Sequence, residues 1–306
     1  MEDVMETLAS EFGKMKGKFR IVSVSHLEEL KEDISRSVQE AKIEETFYDR
    51  YLSFFQFRNP EELPNARNII IISVPQGMTL VNFRYKGRDN RVIIPPTYIY
   101  SRIKNDCIRI LSKVFNGSGY SYAGALLPYK LLVTRSGLGK YGRNNIIYVE
   151  GTGSFHRLQA FFTDYPFNTD NWQEKEVMEN CKDCSACLEA CPTKAILADR
   201  FLINAEKCLT YFNENEASLP DWINPQSHNA LVGCMKCQLI CPINRDFLHM
   251  KEAGEIFSEE ETNSILKEVP LDSLPKYTLG KLKRLNIDEY YTIVSRNLAL
   301  LIKRQE

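Results

Sequence analysis

Long hydrophobic runs are missing from this 306-residue chain, and so is an excess of charge of either sign. No apolar stretch approaches the roughly 18 residues that a membrane-spanning helix needs. The longest compact one, residues 69–72, has the length of a strand. The 39 basic and 40 acidic residues give a net charge of −1, which argues against a general coat for nucleic acid. The sequence also contains no internal repeat and no low-complexity tract.

The first residues lack the basic and then apolar layout of a secretory signal peptide. The segment MEDVMETLASEF is acidic and amphipathic instead. We therefore expect a cytoplasmic protein with no membrane partner. In that compartment, closely spaced cysteines are expected to bind metal rather than to form disulfides.

Cysteine is present in an unusual pattern. Residues 181–192 read C-x2-C-x2-C-x3-C-P, and residues 234–242 read C-x2-C-x3-C-P after one separate upstream cysteine. In two-cluster ferredoxins each run supplies three ligands to one [4Fe–4S] cluster, and the cysteine before proline binds the other cluster. The spacing therefore predicts two ligand sets: Cys181, Cys184, Cys187 and Cys241 for a first cluster, and Cys191, Cys208, Cys234 and Cys237 for a second.

A zinc site is the main alternative for these cysteines. Cys-x2-Cys pairs also build tetrahedral zinc sites. Zinc does not require the x2-x2-x3-Pro spacing twice, so the pattern favours iron–sulfur clusters and one-electron transfer. The ninth cysteine, Cys107, lies in the apolar segment CIRILSKVF and is predicted to be a small buried hydrophobic residue.

The clusters need only a small part of the chain, so the residues before them are expected to use the electrons. We predict an α/β reductase domain over residues 1–167, a ferredoxin-like double-cluster domain over 168–250, and a short helical tail over 251–306. The polar, Asn/Glu-rich residues 168–180 are interpreted as a linker.

Hydrophobic periodicity predicts a layered fold upstream of the cysteines. Ser25 to Glu28 is interpreted as a capping box, and Asn286 as the N-cap of a C-terminal helix. The predicted helices cover residues 2–16, 26–41 and 98–115, and the predicted strands cover 19–24, 68–74 and 145–149.

A glycine-rich segment at residues 131–166 is the second chemical signature. Gly137, Gly139 and Gly142 permit tight turns and a close approach of backbone to a ligand. Side chains that can donate hydrogen bonds surround these glycines, and they predict that the segment binds a large polar or anionic ligand. The letters GLGKYG match a dinucleotide loop, but here a helix enters and a strand leaves, which argues against that function. The donors are Arg135, Lys140, Arg143, Asn144 and Asn145.

These motifs together resemble the epoxyqueuosine reductase family and the related reductive dehalogenases. RSGLGKYGRNN, GSF, FFTDYP, CxxCxxCxxxCPT and GCxxCQxxCPxN occur in the family's order over about residues 58–245. The resemblance implies a nitroreductase-like, cobalamin-binding domain, followed by a ferredoxin-like domain whose two [4Fe–4S] clusters deliver electrons to the corrinoid. It also implies an external low-potential electron donor of the ferredoxin or flavodoxin type. The implied cobalamin contacts are Arg135, Ser136, Gly137, Leu138, Gly139, Gly142, Arg143, Asn144, Asn145 and Ser154.

The histidines bear on how such a corrinoid would be bound. Many corrinoid proteins supply an axial histidine from an Asp-x-His-x-x-Gly motif, and none of the four histidines here lies in one. That agrees with a base-off corrinoid and equally with no corrinoid. Surface or capping positions are predicted for His26, His156, His228 and His249.

The chain departs from the family at the proton donor. The family has an aspartate shortly before a proline, upstream of the glycine loop, whereas residues 122–130 (YAGALLPYK) contain no acid. Reductive cleavage needs a nearby proton source. We therefore predict Tyr129, Lys130 and Tyr141 as candidate donors; the alternative is that the tyrosines pack in the core and the lysine is solvated.

The chain also departs from the family after the clusters. Epoxyqueuosine reductases carry tRNA-gripping helical repeats there, whereas 65 residues follow Cys241 in this sequence. Residues 296–298 echo the first repeat, and residues 276–284 are modestly basic. tRNA is therefore not the expected substrate, and the substrate stays unassigned. Two alternatives remain: a ferredoxin-type electron carrier serving a partner, and a tRNA epoxyqueuosine reductase with an unusual proton donor.

Overall fold

The computed structural model describes residues 4–305 and divides them into two compact units. Unit 1 comprises the described residues up to Pro75 together with Arg102–Cys184. Unit 2 comprises Gln76–Ser101 and the described residues from Ser185 onward. The domain boundaries predicted after residues 167 and 250 stay a prediction. Residues 2 and 3 of the first predicted helix lie outside the described part.

The architecture is mixed α/β, as the sequence predicts. The helices are α1 (Val4–Lys14), α2 (Leu27–Ala41), α3 (Glu45–Tyr51), α4 (Ser101–Phe115), α5 (Tyr129–Arg135), α6 (Ala186–Ala190), α7 (Leu209–Asn213), α8 (Lys236–Leu239), α9 (Glu259–Leu266), α10 (Lys276–Arg284) and α11 (Tyr291–Gln305). The strands are β1 (Lys18–Ser23), β2 (Asn68–Pro75), β3 (Met78–Tyr85), β4 (Arg88–Ile94), β5 (Tyr122–Gly124), β6 (Lys140–Tyr141), β7 (Ile147–Tyr148), β8 (His156–Thr163) and β9 (Lys251–Phe257). Across residues 4–305, we find no helix with the length and apolar character needed to cross a bilayer.

Strand β2 organises unit 1, in an antiparallel sheet of order β1-β2-β8-β5. Successive side chains of a strand point to opposite faces of a sheet. Ile69 and Ile71 pack on one face with Leu132 of α5, and Ile70 and Ile72 pack on the other with α1 and α4. The continuous apolar run is thus explained by a strand covered on both faces.

Cys107 lies on α4 in the second of these apolar layers and is fully buried. Burial raises the pKa of its thiol to about 12. The prediction of a small buried hydrophobic residue is confirmed.

The segment interpreted as a linker is instead folded onto unit 1. The backbone nitrogen of Asn171 donates to the carbonyl of Ile21 at 2.8 Å, and the backbone nitrogen of Ile21 donates to Oδ1 of Asn171 at 3.0 Å. The ring of Trp172 stacks on His26 with centroids 4.4 Å apart. The polar composition therefore serves hydrogen bonding within the fold rather than a flexible connection.

A buried ion cluster joins this segment to α2 and α5. Asp33 of α2 is 1% exposed and receives the Nη2 of Arg135 at 2.7 Å and the Nζ of Lys175 at 3.1 Å. Arg135 also contacts Glu29 at 3.0 Å. Removing one partner of a buried ion pair leaves an uncompensated charge, so this cluster fixes how α5 enters the glycine segment.

Unit 2 contains a three-stranded sheet of order β4-β3-β9, in which β9 runs parallel to β3. The sequence predicts a helical tail from residue 251, and this prediction is wrong for Lys251–Phe257, which form strand β9. A β-carbon at Gly254 would lie 2.7 Å from the Cγ2 of Thr79, so glycine allows the close pairing. Phe257 at the end of β9 stacks on Phe83 at 4.6 Å. Helices α9, α10 and α11 then cover the same apolar core.

Two predicted helix caps are also wrong. Ser25 lies in a short 3-10 turn before α2, and the Oγ of Ser23 accepts from its backbone nitrogen at 3.1 Å. Asn286 does not cap the C-terminal helix. Its Oδ1 accepts from the backbone nitrogens of Tyr100 and Ser101, at 3.1 and 3.2 Å, where α4 begins. The first error is a shift of the cap by two residues, whereas the second arises because the partners of Asn286 lie about 185 residues earlier in the chain.

Replacing Asp33 with Asn should destabilise the protein strongly, because Arg135 and Lys175 would lose their buried counter-charge. We expect a loss of about 3 kcal/mol in the free energy of unfolding, measured by urea titration. Glu174→Gln is the matched control, since Glu174 also contacts Arg135 but is 89% exposed; its cost should stay below about 1 kcal/mol. Equal effects of the two changes would contradict this account.

Candidate iron–sulfur and cofactor site

The two cysteine runs end in matching turns within unit 2. Helix α6 carries Cys187 and packs against α8, which carries Cys237. Each run ends in a cysteine before proline, and Cys191 and Cys241 have nearly the same extended backbone, with φ of −67° and −63°. Proline excludes the helical conformation from the residue before it, which ends each turn at its last cysteine.

The sulfur atoms receive hydrogen bonds from the surrounding chain. The backbone nitrogen of Ala195 donates to Cys191 Sγ at 3.3 Å, and Nδ2 of Asn229 donates to Cys234 Sγ at 3.2 Å. All nine cysteines lie within residues 4–305, and none of them forms a disulfide there. Such donors stabilise the thiolate form that binds iron and help to set the potential of a cluster.

Three predicted ligands of the second cluster are electrostatic neighbours. Burial, with a smaller contribution from charge on Cys208 and Cys191, raises the pKa of Cys234 to about 11. Burial likewise raises the pKa of Cys208, with a contribution from Cys191. Iron must displace these protons, so the buried sulfur set fits a [4Fe–4S] cluster whose assembly releases protons.

The other predicted ligand set is divided between the units: Cys181 and Cys184 belong to unit 1, Cys187 and Cys241 to unit 2. Within residues 4–305, no three His, Cys, Asp or Glu side chains form a site for a single metal ion. The assignment of individual cysteines to each cluster stays a prediction.

Arg143 holds the first cysteine loop. Its backbone nitrogen donates to Cys181 Sγ at 3.5 Å, and its Nη2 donates to the carbonyls of Cys181 at 2.7 Å and Lys182 at 3.1 Å. Its Nε donates to the carbonyl of Cys184 at 3.1 Å. A planar guanidinium can serve these carbonyls together, which a lysine could not. The contact of Arg143 with cobalamin stays a prediction, and the observed partners belong to the cluster-binding loop.

The glycines of the second signature permit tight packing of the chain on itself. Gly137 has a φ of +67°, and a β-carbon there would lie 2.7 Å from Gln173 Oε1. A β-carbon at Gly139 would lie 2.7 Å from the carbonyl of Tyr148, and one at Gly142 would lie 2.6 Å from the ring of Tyr148. Gly139 and Gly142 thus allow the β6–β7 hairpin to close on Tyr148. The predicted role of the three glycines in binding a cofactor stays a prediction.

The polar residues of this hairpin are largely buried. Asn144 donates from Nδ2 to the Tyr148 hydroxyl at 3.0 Å and accepts from the Ile146 nitrogen at 3.2 Å. Asn145 has a left-handed backbone with a φ of +54°. These contacts shape the loop.

The remaining predicted contacts lie on both sides of the hairpin. Ser136 caps α5 and donates from Oγ to the carbonyl of Val133 at 3.1 Å. Leu138 and Ser154 are buried in unit 1. Arg135 is engaged by the carboxylates of the Asp33 cluster. For all of these residues the contact with a corrin stays a prediction.

The three candidate proton donors lie in different surroundings. Tyr129 donates its hydroxyl to the carbonyl of Ala125 at 2.8 Å, and burial raises its pKa. Burial also raises the pKa of Tyr141 strongly. Lys130 is exposed, and its Nζ donates to the carbonyl of Asn145 in the glycine hairpin at 3.2 Å.

Two histidines differ from the surface or capping positions predicted for them. His156 begins β8 and is only 8% exposed, and His228 is fully buried. Burial lowers the pKa of each to about 4, so both are neutral at pH 7. Nothing in the local sequence marks them, because their burial comes from distant packing.

His156 is relevant to a bound cofactor. Its Nε2 lies 3.1 Å from the carbonyl of Ile147, which places the ring proton on Nε2 and leaves Nδ1 as an acceptor. Among the described residues, Nδ1 has no hydrogen-bond partner. Burying an unsatisfied polar atom costs free energy, so a ligand donor at this position would be stabilising. The carboxamides of a corrin provide such donors, and the residues around the hairpin fit the group in this respect.

Comparison with known proteins agrees with this arrangement. Residues 180–244 match the family of 4Fe-4S double cluster binding domains. An epoxyqueuosine reductase of Escherichia coli is 35% identical over 144 residues, which cover 42% of this chain and 37% of the relative. An epoxyqueuosine reductase of Cyclobacterium marinum is 33% identical over 152 residues, which cover 49% of this chain and 48% of the relative. The matched region thus spans about half or less of the curated relatives' length.

The similarity in fold extends further than the similarity in sequence. The structure of epoxyqueuosine reductase from Streptococcus thermophilus superposes with a TM-score of 0.72 at 21% identity, covering 100% of this chain and 82% of that one. An epoxyqueuosine reductase solved with a modified tRNA stem loop gives a TM-score of 0.66 at 20% identity, covering 99% and 80%.

The fold and the cysteine pattern define an iron–sulfur protein of the double-cluster class, and the predicted pair of [4Fe–4S] clusters is confirmed. Within that class, the chain is epoxyqueuosine reductase-like. The resemblance predicted from the motifs is confirmed, both by curated relatives and by the fold of the whole chain.

Replacing Cys234 with Ala should remove one cluster, because Cys234 is a predicted ligand and a neighbour of Cys191 and Cys208. After anaerobic reconstitution we expect iron to fall from about eight to about four atoms per chain, measured colorimetrically. Cys107→Ala is the control, since that thiol lies in the apolar layer of unit 1; it should retain about eight irons. Full iron content in the Cys234 variant would refute the ligand assignment.

Proposed function

We propose that this chain is an iron–sulfur reductase in which two [4Fe–4S] clusters deliver electrons to a base-off cobalamin that reduces a substrate. The observation that carries the proposal is the combination of a double-cluster domain with the epoxyqueuosine reductase fold over the whole chain. A ferredoxin-type carrier would not need the rest of that fold. The electrons would come from an external low-potential donor of the ferredoxin or flavodoxin type.

The residues that would hold cobalamin lie around the glycine hairpin. Nδ1 of His156 would accept a hydrogen bond from a corrin carboxamide, because it is buried, neutral and unsatisfied among the described residues. The bound group would supply a low-potential metal centre for reduction of the substrate. The predicted neighbours are Arg135, Ser136, Gly137, Leu138, Gly139, Gly142, Arg143, Asn144, Asn145 and Ser154.

Lys130 is the strongest of the three candidate proton donors. Donation by Tyr129 would create a phenolate in a buried site and remove its hydrogen bond to Ala125, and burial disfavours ionisation of Tyr141 as well. Lys130 is exposed and reaches the glycine hairpin. Loss of a proton from this ammonium leaves a neutral amine, which needs no new counter-charge.

A second candidate function is reduction of epoxyqueuosine in tRNA, favoured by the relative solved with a tRNA stem loop. The basic stretch at residues 276–284 gives it limited support. Lys281 pairs with Glu261 at 2.7 Å, and Arg284 pairs with Glu255 at 2.6 Å. Two of its cations thus already have carboxylate partners, which reduces the charge available to phosphates.

The first experiment is anaerobic reconstitution with iron and sulfide, followed by titration with cob(II)alamin under electron paramagnetic resonance. We expect about eight irons per chain and a base-off cobalt signal that saturates with one cobalamin. Eight irons without cobalt binding would reject the reductase mechanism and leave an electron carrier. In parallel, an epoxyqueuosine-bearing stem loop is tested in a gel shift at rising salt, since phosphate-driven binding weakens with salt. Absence of a shift at low salt would reject tRNA as a partner.

Replacing Lys130 with Gln should slow turnover about 10²- to 10⁴-fold, the usual contribution of a general acid. The rate is measured in a single turnover on the epoxyqueuosine stem loop, with cobalamin binding checked by the cobalt signal. Tyr129→Phe is the control and should keep most of the rate. A fast Lys130 variant with a slow Tyr129 variant would transfer the role to the tyrosine. A wild-type protein that leaves the epoxide intact would reject epoxyqueuosine as substrate.

A further inference from the structure

A buried phenol lies against the backbone of the second cysteine run. Tyr98 is 7% exposed and lies in unit 2, where it donates its hydroxyl to the carboxylate of Glu214. Gly233, which directly precedes Cys234, has a φ of +69°. A β-carbon at Gly233 would lie 2.2 Å from the Tyr98 hydroxyl. Glycine is therefore required there, and the phenol occupies the space that a side chain would fill.

The position of Glu214 relative to the cysteines is fixed by a chain of amides. Glu214 directly follows α7, the helix that begins after Cys208. Nδ2 of Asn213 donates to the carbonyl of Gly233 at 2.8 Å, which ties this helix to the residue before Cys234. Nδ2 of Asn297, from α11, donates to the carbonyls of Asn213 at 3.1 Å and Leu231 at 2.9 Å.

The carboxylate of Glu214 lies beside the second ligand set, because its partner, the Tyr98 hydroxyl, lies against Gly233, the residue before Cys234. Arg296 brings a positive charge to the same helix end, where it donates to the carbonyls of Phe212, Asn215 and Ala217. The guanidinium of Arg296 thus binds backbone oxygens, and the Tyr98 hydroxyl binds the carboxylate of Glu214.

We propose that Glu214, positioned by Tyr98, lowers the reduction potential of the cluster held by Cys191, Cys208, Cys234 and Cys237. Reduction adds one negative charge to the cluster, and a fixed carboxylate nearby opposes that charge. The electron comes from the external donor, and neither Glu214 nor Tyr98 gains or loses a proton. The cluster becomes a stronger reductant. This inference rests on the two clusters and does not depend on cobalamin or the substrate.

The test compares Glu214→Gln with Glu216→Gln in reconstituted full-length protein. Gln at position 214 keeps an oxygen that can accept from Tyr98 and removes only the charge. Glu216 lies two residues away, is exposed, and accepts from Oγ1 of Thr292 at 3.0 Å, so its replacement removes an equal charge from the same region. Both cluster potentials are measured by redox titration monitored by electron paramagnetic resonance, and iron content is measured in parallel.

We expect the Glu214 variant to retain about eight irons and one of its two potentials to become more positive. A tenfold easier reduction corresponds to a shift of about 59 mV for one electron. The other potential of the Glu214 variant should differ from the wild-type value by less than a third of that shift. Both potentials of the Glu216 variant should also differ from wild type by less than a third of it. Unchanged potentials in the Glu214 variant would overturn the proposal, as would equal shifts in both variants. Loss of iron from the Glu214 variant would show a structural role instead and would also overturn it. Wild-type protein without eight irons would reject the clusters themselves.

Discussion

Burial of thiolates is the constraint on which the cluster-binding part of this protein depends. A thiolate in an apolar site is unstable without iron, as the raised pKa values of Cys208 and Cys234 show. The chain offsets the cost with donors to sulfur, from the Ala195 nitrogen and the Asn229 amide. The cluster and the fold around it therefore stabilise each other.

The cysteine pattern could be predicted from the sequence because it is a local code. In each run, cysteines spaced by two residues and a last cysteine before proline specify a turn that binds iron–sulfur clusters. The central strand β2 could be predicted for a similar reason, since its run of isoleucines is long enough for a strand and too short for a buried helix. In both cases the residues that decide the structure are neighbours in the chain.

The features that escaped prediction depend on partners far away in sequence. Strand β9 has a polar composition and exists because β3 offers a parallel partner some 170 residues earlier. Asn286 resembles a helix cap and instead binds the start of α4. Arg135 resembles a ligand contact and lies among carboxylates, one of them 102 residues away. Nδ1 of His156 is unsatisfied because distant packing buries the ring, and the local sequence periodicity does not reveal that packing.

The C-terminal helix illustrates why a motif can persist without its best-known role. Residues 296–298 echo the first repeat of the tRNA-gripping helices, yet Asn297 is fully buried and binds the backbone of Asn213 and Leu231, between Cys208 and Cys234. Arg296 satisfies three carbonyls around the end of α7. A buried amide that loses its partners costs about 1–3 kcal/mol for each group left unsatisfied. The cluster site alone is therefore sufficient reason to keep this helix, and its presence is no argument for a grip on RNA.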